Sequence, residues 1–322
     1  MKTVLKALLV LAALLVIAFL IFRTPDTDAA EMRAKYGGPP SQFIALDNGL
    51  TVHMRDEGPR GAPAIMLLHG SNADLHTWNE WVRLLGQDYR IIRFDQIGHG
   101  LTGPAPDGDY STEAFVGTVD QLASSLGLER FTLGGNSMGG KIAMAYAIAH
   151  PEKLEGLILV DAGGAPQSRD GAGGGNIGFA IARMPVVNRL MTQITPRSII
   201  ERSLSQSVSN QAVVTPQVVD RYWELLRYPG NRAATLARFG QPGTVFTAEE
   251  MRRVTVPTLI VWGEEDALIP FASAGWFAKN LPESSLVSYP GIGHLPMEEA
   301  PESSAEAVRK WHGQHVLATV SQ

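Results

Sequence analysis

The apolar residues of this chain fall into three patterns that follow one another along its length. Residues 7–22 form an unbroken run of sixteen apolar residues near the N-terminus. From residue 50 to residue 160, short apolar runs alternate with longer stretches of helical periodicity, which is typical of a mostly parallel sheet covered by helices on both faces. After residue 165 the strand pattern gives way to glycine-rich and helical stretches, and it resumes only at residue 257. The pattern therefore predicts an α/β fold with a helical insertion and a separate N-terminal helix.

The N-terminal apolar run is nearly long enough for a membrane helix. With Val4, Leu5 and a snorkelling Lys6 included, it approaches the ~20 residues that cross a bilayer. A cleaved signal peptide is the alternative, but residues 23–26 read Arg-Thr-Pro-Asp where an Ala-x-Ala cleavage site would be expected. We therefore expect a single-pass membrane anchor, with secretion after signal cleavage as the alternative. Basic residues on the two sides of the run are nearly balanced, and its signal-like character favours the remaining chain on the extracytoplasmic, periplasmic side. The chain contains no cysteine, which is compatible with either side of the membrane.

These patterns divide the chain into five predicted segments. The ~280 residues beyond the anchor are enough for one α/β domain with an insertion. The segments are an anchor or signal-like segment at 1–24, a linker rich in Pro, Gly and Ala at 25–40, the first part of the α/β core at 41–164, a helical insertion at 165–246 and the second part of the core at 247–322.

Ser137 lies where a predicted strand meets a predicted helix. Residues 135–139 read Gly-Asn-Ser-Met-Gly, an apolar strand ends just before them, and an Ala-rich helical run covers residues 142–149. A G-x-S-x-G sequence in this context is typical of a strained turn that lifts the serine hydroxyl out of a sheet. The free N–H groups and the dipole of the following helix favour negative charge beside that hydroxyl. Ser137 is therefore the predicted nucleophile.

Together with two downstream motifs, this turn resembles the α/β-hydrolase superfamily, over most of residues 41–315. The resemblance implies a mostly parallel, eight-stranded sheet flanked by helices, with a helical cap in place of the insertion. It also implies a triad in the chain order Ser, acid, His. Asp266 fits the acid, since it follows a predicted buried strand in a Gly-x-x-Asp sequence, and His294 follows the next predicted strand. Imidazole suits a general base because its pKa lies near neutral pH.

Three other carboxyl groups compete with Asp266 for the role of the acid. Glu264 and Glu265 are its immediate neighbours, and Asp161 ends the predicted strand at 157–160. Asp266 is preferred because it aligns with the motif of the family, whereas the two glutamates are expected to be surface charges. Asp161 stays open because a few relatives place their acid at that strand.

The family also implies an oxyanion hole, which binds the negative oxygen of the reaction intermediate. The predicted strand at 64–68 runs into His-Gly-Ser-Asn at 69–72, which resembles the H-G-x oxyanion loop of the family. By that resemblance, the backbone N–H groups of Ser71 and Met138 form the hole. His69 is expected to support this loop without a catalytic role.

The resemblance predicts a serine hydrolase that cleaves carboxylic esters of short to medium or lipophilic acyl groups through an acyl-enzyme. With the N-terminal anchor, the expected protein is a membrane-anchored serine hydrolase. A small-molecule or lipid-like ester is the expected substrate, and amides and thioesters stay open. The Gly-Asn-Ser-Met-Gly-Gly elbow also resembles carbon–carbon hydrolases of meta-ring-fission products, although Leu295 replaces their typical Trp after the histidine. A cofactor-free haloperoxidase or perhydrolase stays open too, as does a non-catalytic binding relative. Epoxide hydrolases and haloalkane dehalogenases are disfavoured because their nucleophile is Asp.

Composition and motifs argue against several other classes of protein. The chain has 27 basic and 32 acidic residues, for a net charge of −5, and its basic residues form no sustained stripe, so nucleic-acid binding is not expected. There is no Cys cluster or His-Glu-x-x-His sequence, and scattered histidines do not make a metal site. A dinucleotide-type G-x-G-x-x-G opening a helix is missing as well. We therefore expect neither a metal nor a cofactor.

Overall fold

An eight-stranded sheet forms the centre of the computed structural model, which describes residues 2–166, 184, 187–241 and 243–316. The strand order is β1-β2-β4-β3-β5-β6-β7-β8. β1 and β2 are antiparallel to each other, β2 is antiparallel to β4, and all other neighbours are parallel. The strands are β1 (Gln42–Ala45), β2 (Thr51–Glu57), β3 (Ala64–Leu68), β4 (Arg90–Phe94), β5 (Phe131–Asn136), β6 (Leu154–Val160), β7 (Thr258–Gly263) and β8 (Ser284–Tyr289). The predicted fold class is confirmed.

Helices alternate with the strands from β3 to β8, with a group of them between β6 and β7, and in the described part of the chain two further helices precede β1 and two follow β8. Described helices are α1 (Lys2–Phe22), α2 (Ala29–Tyr36), α3 (Asn79–Leu85), α4 (Thr112–Ser125), α5 (Met138–Ala149), α6 (Val187–Met191), α7 (Arg197–Ser205), α8 (Pro216–Leu226), α9 (Asn231–Phe239), α10 (Ala248–Arg252), α11 (Ala272–Asn280), α12 (Pro296–Glu299) and α13 (Pro301–His315).

The central strands are buried on both faces, and this explains their continuous apolar sequence. All residues of β3, β5 and β7 are buried, while the edge strands β1 and β8 are partly exposed. Strands covered on both faces are expected to read as unbroken apolar runs. Helices α4, α5 and α11 supply one apolar layer through side chains such as Phe115, Ile142 and Phe277. Helices α3 and α13 supply the opposite layer, which includes Trp81 and Trp311.

The segment between β6 and β7 contains helices and no strand among its described residues, and we call it the insertion. It contains α6 to α10. Helix α8 shows the local cause: Thr215 caps its N-terminus by accepting a hydrogen bond from the N–H of Val218, and Pro216 occupies the first turn, where a missing N–H costs nothing. Residues 167–183, 185–186 and 242 lie outside the described residues, so the predicted glycine-rich stretch and the segment limits of 165 and 246 stay predictions.

Helix α1 matches the apolar N-terminal run. Its stretch from Val4 to Phe22 has 19 residues, a mean hydropathy of 3.0 and no burial against the rest of the chain. By length and composition this helix can cross a membrane. A signal sequence has the same features, so α1 is either an anchor or a signal sequence.

The predicted linker contains a helix that the sequence reasoning missed. Helix α2 begins after Asp28, whose side chain accepts a hydrogen bond from the N–H of Glu31. Its Met32 is buried in an apolar cluster with Leu101 of the core and Leu225 of the insertion. The Pro, Gly and Ala content suggested a simple spacer, but an N-cap and one buried methionine dock this segment on the folded domain.

Candidate active site

Ser137 occupies a strained turn between β5 and α5. Its φ of +56° and ψ of −115° lie outside the regions that L-residues favour, and such strain is stored mainly at functional sites. Backbone hydrogen bonds hold the turn: the N–H of Ser137 donates to the carbonyl of Val160, and its own carbonyl accepts from the N–H groups of Lys141 and Gly163. The turn therefore fixes the direction of the serine side chain.

The two glycines of the G-x-S-x-G sequence are required by close contacts. A Cβ atom on Gly135 would lie 2.3 Å from the carbonyl carbon of Gly139. A Cβ atom on Gly139 would lie 2.3 Å from the carbonyl oxygen of Leu68. Backbone segments that approach this closely leave no room for a side chain. The pattern read in the sequence thus has a direct steric cause.

His294 and Asp266 form a buried pair at the same edge of the sheet. The His294 Nδ1 atom lies 2.7 Å from the Asp266 Oδ2 atom. The other carboxylate oxygen accepts hydrogen bonds from the N–H groups of Leu268 and Ile269, at 2.7 and 3.0 Å. Three donors therefore fix the Asp266 carboxylate, and that carboxylate fixes the histidine ring.

The loop that carries His294 is held from three directions. The Asn136 amide, next to Ser137 in the chain, donates to the His294 carbonyl at 3.0 Å. The His294 N–H donates to the carbonyl of Ser207 in the insertion at 2.8 Å. Glu299 accepts from the N–H groups of Gly293 and Leu295. The sequence reasoning missed Asn136 and Glu299, because their partners are backbone groups of distant segments and leave no pattern in the sequence.

Ser137 and His294 line one cavity, whose empty space including its mouth is about 1160 Å³. The sheet side contributes Ser71, Asn72 and Asn136. The insertion covers the cavity with mainly apolar side chains, including Ile199, Ile200, Leu204, Tyr222, Leu226 and Leu236. Asp266 lies behind His294 and does not line the cavity. An apolar chamber with a few convergent polar groups is the usual form of a small-molecule site.

The predicted oxyanion residues flank the serine. Ser71 follows β3 and lines the cavity, and Met138 is the first residue of α5. The His69 side chain braces this loop: its Nδ1 lies 2.7 Å from the Gly70 carbonyl, and its Nε2 accepts from the Gln96 N–H at 3.0 Å. Burial lowers the pKa of His69, which keeps the ring neutral at pH 7. The hydrogen bonds account for His69 as a structural support of the loop.

The structure separates Asp266 from its rivals by position. Glu264 and Glu265 are exposed, and Glu264 accepts a hydrogen bond from the Ser288 hydroxyl. Asp161 is fully buried at the end of β6, and its Oδ1 accepts from the Gly263 N–H at 3.0 Å. Among these four carboxyl groups, all within the described residues, only Asp266 forms a hydrogen bond with His294.

Asp161, Asp266 and His294 place one polar atom each within 4.8 Å of one another. That spacing alone is compatible with a cation, but N–H donors already occupy both oxygens of Asp266 and one oxygen of Asp161. Burial, and then the negative charge of Asp266, raise the pKa of Asp161 well above its ordinary range. When two buried carboxyl groups are adjacent, ionisation of one opposes ionisation of the other. The raised pKa favours the protonated, neutral form of Asp161, and the cluster favours hydrogen bonding over metal coordination.

This neutral acid predicts a stability effect that depends on pH. A carboxyl group with a raised pKa in the folded chain contributes stability below its unfolded pKa, and that contribution is lost as pH rises through the folded pKa. Replacement of Asp161 by Asn removes the effect. We therefore expect the free energy of unfolding of Asp161→Asn minus that of the parent to increase from pH 4 to pH 7, by at most about 1.4 kcal/mol per pH unit. Chemical denaturation at several pH values measures it, with the exposed Glu265→Gln as control. A flat or opposite trend would mean that Asp161 is ionised.

Comparisons with known proteins agree with this architecture. The family model described as alpha/beta hydrolase fold matches residues 63–301, which is most of the chain. The fold and the match define an α/β hydrolase. The chain belongs to the α/β-hydrolase family.

Curated relatives cover most of the chain at modest identity. An uncharacterized protein of Mycobacterium tuberculosis is 29% identical over 286 residues, which cover 85% of this chain and 81% of that protein. Lipase 1 of Psychrobacter immobilis is 25% identical, covering 82% of this chain and 81% of its own. 2-Hydroxymuconate semialdehyde hydrolase of a Pseudomonas species is 26% identical, covering 90% of this chain and all of that enzyme.

A solved structure extends the likeness to nearly the whole chain. The crystal structure of a membrane phospholipase A has a TM-score of 0.75 and 24% identity, and the match covers 98% of this chain and 99% of the other. This match supports the fold, including the N-terminal region. The protein is a hydrolase of the α/β fold with lipase and meta-cleavage hydrolase relatives.

Proposed function

We propose that the protein is a membrane-anchored serine hydrolase that cleaves carboxylic esters with short to medium or lipophilic acyl groups. The observation that carries the proposal is a single arrangement: Ser137 on its strained turn shares an apolar cavity with His294, and Asp266 is bonded to the far side of that histidine ring. A serine hydroxyl needs a base, and the base needs an orienting carboxylate.

The proposed reaction passes through an acyl-enzyme. His294 Nε2 takes the proton of the Ser137 hydroxyl as the oxygen attacks the ester carbonyl. The N–H groups of Ser71 and Met138 bind the oxyanion, and the Asp266 carboxylate stabilises the imidazolium. The imidazolium then gives its proton to the leaving alcohol. Water, deprotonated by His294, attacks the acyl-enzyme and releases the acid, and Ser137 regains its proton.

The cavity supports an ester with a substantial apolar part. Its roof is formed by α7, α8 and α9 of the insertion, which we propose to act as a cap. The aliphatic side chains of Ile199, Leu204 and Leu236 face the chamber that Ser137 enters. An acyl chain buried there gains about 0.8 kcal/mol per CH₂ group. The lipase among the curated relatives supports this substrate class.

A carbon–carbon hydrolase is the second candidate. The elbow sequence and the 2-hydroxymuconate semialdehyde hydrolase relative favour it. Leu295 lines the cavity directly after His294, where those enzymes typically carry a Trp. The apolar lining and the N-terminal helix fit a lipophilic ester better.

The test uses the full chain in detergent micelles. We expect hydrolysis of p-nitrophenyl butyrate, and covalent labelling by a fluorophosphonate that peptide mass spectrometry locates on Ser137. A series of p-nitrophenyl esters then gives the preferred acyl length. Turnover of a meta-ring-fission product with no ester hydrolysis would support the second candidate. The absence of both reactions and of labelling would favour a binding relative.

The anchor is proposed from the length and apolar character of α1, and the residues that follow α1 dock on the insertion. The Thr24 hydroxyl accepts from the Thr195 N–H at 2.6 Å, and Arg232 forms an ion pair with Asp26 at 2.7 Å. Thr195 and Arg232 also line the cavity. The cavity therefore lies close to the end of α1, where an anchor would keep it near lipophilic esters in the membrane.

Removal of the anchor is expected to release the protein from membranes. The full chain should stay in the membrane pellet after alkaline carbonate extraction, because a helix of ~20 apolar residues resists it. A chain that starts at Thr24 should appear in the supernatant. Immunoblotting of both fractions measures the distribution, and Ser137→Ala in the full chain should pellet like the parent. Release of the full chain by carbonate, or its processing to a shorter soluble form, would contradict an uncleaved anchor.

A further inference from the structure

An arginine of the insertion lies against both segments that carry the proposed oxyanion donors. Arg238, at the end of α9, donates from Nη1 to the Ser71 hydroxyl at 2.8 Å and contacts the Met138 sulfur at 3.5 Å. Its Nη2 donates to the Asn72 side-chain oxygen at 3.1 Å. One guanidinium group therefore bridges the loop after β3 and the first residue of α5.

The charge of Arg238 has no carboxylate partner among the described residues. Its recorded acceptors there are a hydroxyl, an amide oxygen and a thioether, all of them neutral. Burial lowers the pKa of Arg238 to about 10, against an opposing electrostatic contribution from Tyr110. The group is still protonated at pH 7. Burial lowers the pKa of Lys141 and the charge of Arg238 lowers it further, as expected of a cation that is not neutralised nearby.

The same helix holds the oxyanion loop in an unusual conformation. Asn72 has a φ of +60°, which Asn tolerates better than most residues but which still needs support. Its side-chain oxygen accepts from the Thr235 hydroxyl at 3.2 Å as well as from Arg238. Two side chains of α9 thus fix the residue that follows Ser71.

We propose that Arg238 is a positioning residue of the oxyanion hole, whose positive charge also stabilises the negative oxygen of the tetrahedral intermediate. The inference rests on the proposed serine-esterase function. The ester carbonyl is neutral and the intermediate is charged, so a nearby cation favours the intermediate over the bound substrate. Interactions that strengthen only in the transition state raise kcat and leave KM unchanged. Arg238 does not line the cavity, so direct contact with the substrate is not required.

Two substitutions separate charge from geometry. Arg238→Lys keeps the charge and loses the two-armed hydrogen bonding. Arg238→Gln keeps a donor and loses the charge. Removal of a direct oxyanion donor lowers kcat by about 10²–10³-fold. Arg238 does not contact the oxyanion directly, so its removal should have a smaller effect. We therefore expect a fall in kcat of about 30-fold to 100-fold for Arg238→Gln and of about 3-fold to 10-fold for Arg238→Lys, with KM within about twofold for both.

The measurement is steady-state hydrolysis of p-nitrophenyl butyrate by the full chain, with kcat expressed per site that a fluorophosphonate labels. This correction removes misfolded protein from the comparison, and thermal unfolding is recorded for each variant. Arg202→Gln, on the exposed part of α7, is the matched control and should match the parent. Equal kcat for Arg238→Gln and Arg238→Lys, a parental kcat for both, or a rise in KM alone would overturn the inference. If the parent itself shows no turnover that depends on Ser137, the proposed function fails instead.

Discussion

Replacement of Ser137 by Ala is expected to lower kcat for p-nitrophenyl butyrate by about 10⁶-fold, since the members of a serine triad act as one unit. The reason is specific to the turn: it holds the Ser137 side chain at a φ of +56° between β5 and α5, and Ala at that position has no oxygen to attack the ester. Residual turnover would come from the oxyanion hole and from binding alone. Stopped assays that run for hours, with uncatalysed hydrolysis subtracted, measure such low rates.

The control for this variant is Ser303→Ala, which removes an exposed hydroxyl on α13 and should keep the parental rate. Fluorophosphonate labelling should disappear in Ser137→Ala and persist in Ser303→Ala. Thermal unfolding should be similar for all three proteins, because Ala keeps the Cβ atom at position 137. Equal turnover by Ser137→Ala and the parent would show that Ser137 is not the nucleophile.

The sheet and the turn were predictable because their sequence signals are local. Strand β3 was expected at 64–68 and lies there, and the strand pattern that resumes at residue 257 corresponds to β7, which spans Thr258–Gly263. Continuous burial makes such strands apolar throughout, so their ends are clear to within about two residues. The turn at Ser137 was recognisable because close backbone contacts within it require glycine on both sides of the serine.

The proximity of the candidate site residues was predictable through the topology. In a parallel sheet the carboxyl ends of the strands meet at one edge, so residues that follow β5, β7 and β8 are brought together. Ser137, Asp266 and His294 each follow one of these strands. Ligands in open α/β sheets bind at that edge, which agrees with the cavity found above it.

The contributions of the insertion were not predictable from the sequence. Arg238 is 167 positions from Ser71 along the chain, and nothing near either residue encodes the contact. The hydrogen bond from the His294 N–H to the Ser207 carbonyl joins two backbone groups and carries no side-chain signal. The docking of α2 likewise depends on Met32 and its partners in the folded chain. Such long-range contacts between an insertion and a core appear only once the packing of both is known.

Two isosteric substitutions of neighbouring carboxyl groups are expected to have very different effects on turnover. We expect Asp266→Asn to lower kcat by about 10⁴-fold, as an amide at this position of a triad favours the wrong histidine tautomer. An amide NH₂ group facing His294 Nδ1 would donate to it, so the ring proton would move to Nε2. That nitrogen could then no longer accept the proton of the Ser137 hydroxyl. The measurement is kcat for p-nitrophenyl butyrate with the full chain between pH 6 and pH 9.

Asp161→Asn is the matched control, because its carboxyl group lies within 4.8 Å of the Asp266 and His294 polar atoms but has no recorded bond to the ring. The raised pKa of Asp161 favours its neutral form, and an amide keeps both the acceptor for the Gly263 N–H and a donor that can face Asp266. The charge around His294 is therefore unchanged, and kcat should stay within about 10-fold of the parent, far above Asp266→Asn. The opposite order, with Asp161→Asn inactive and Asp266→Asn active, would assign the role of the acid to the end of β6. Comparable losses in both would mean that the two carboxyl groups share one catalytic proton network, which neither can sustain alone.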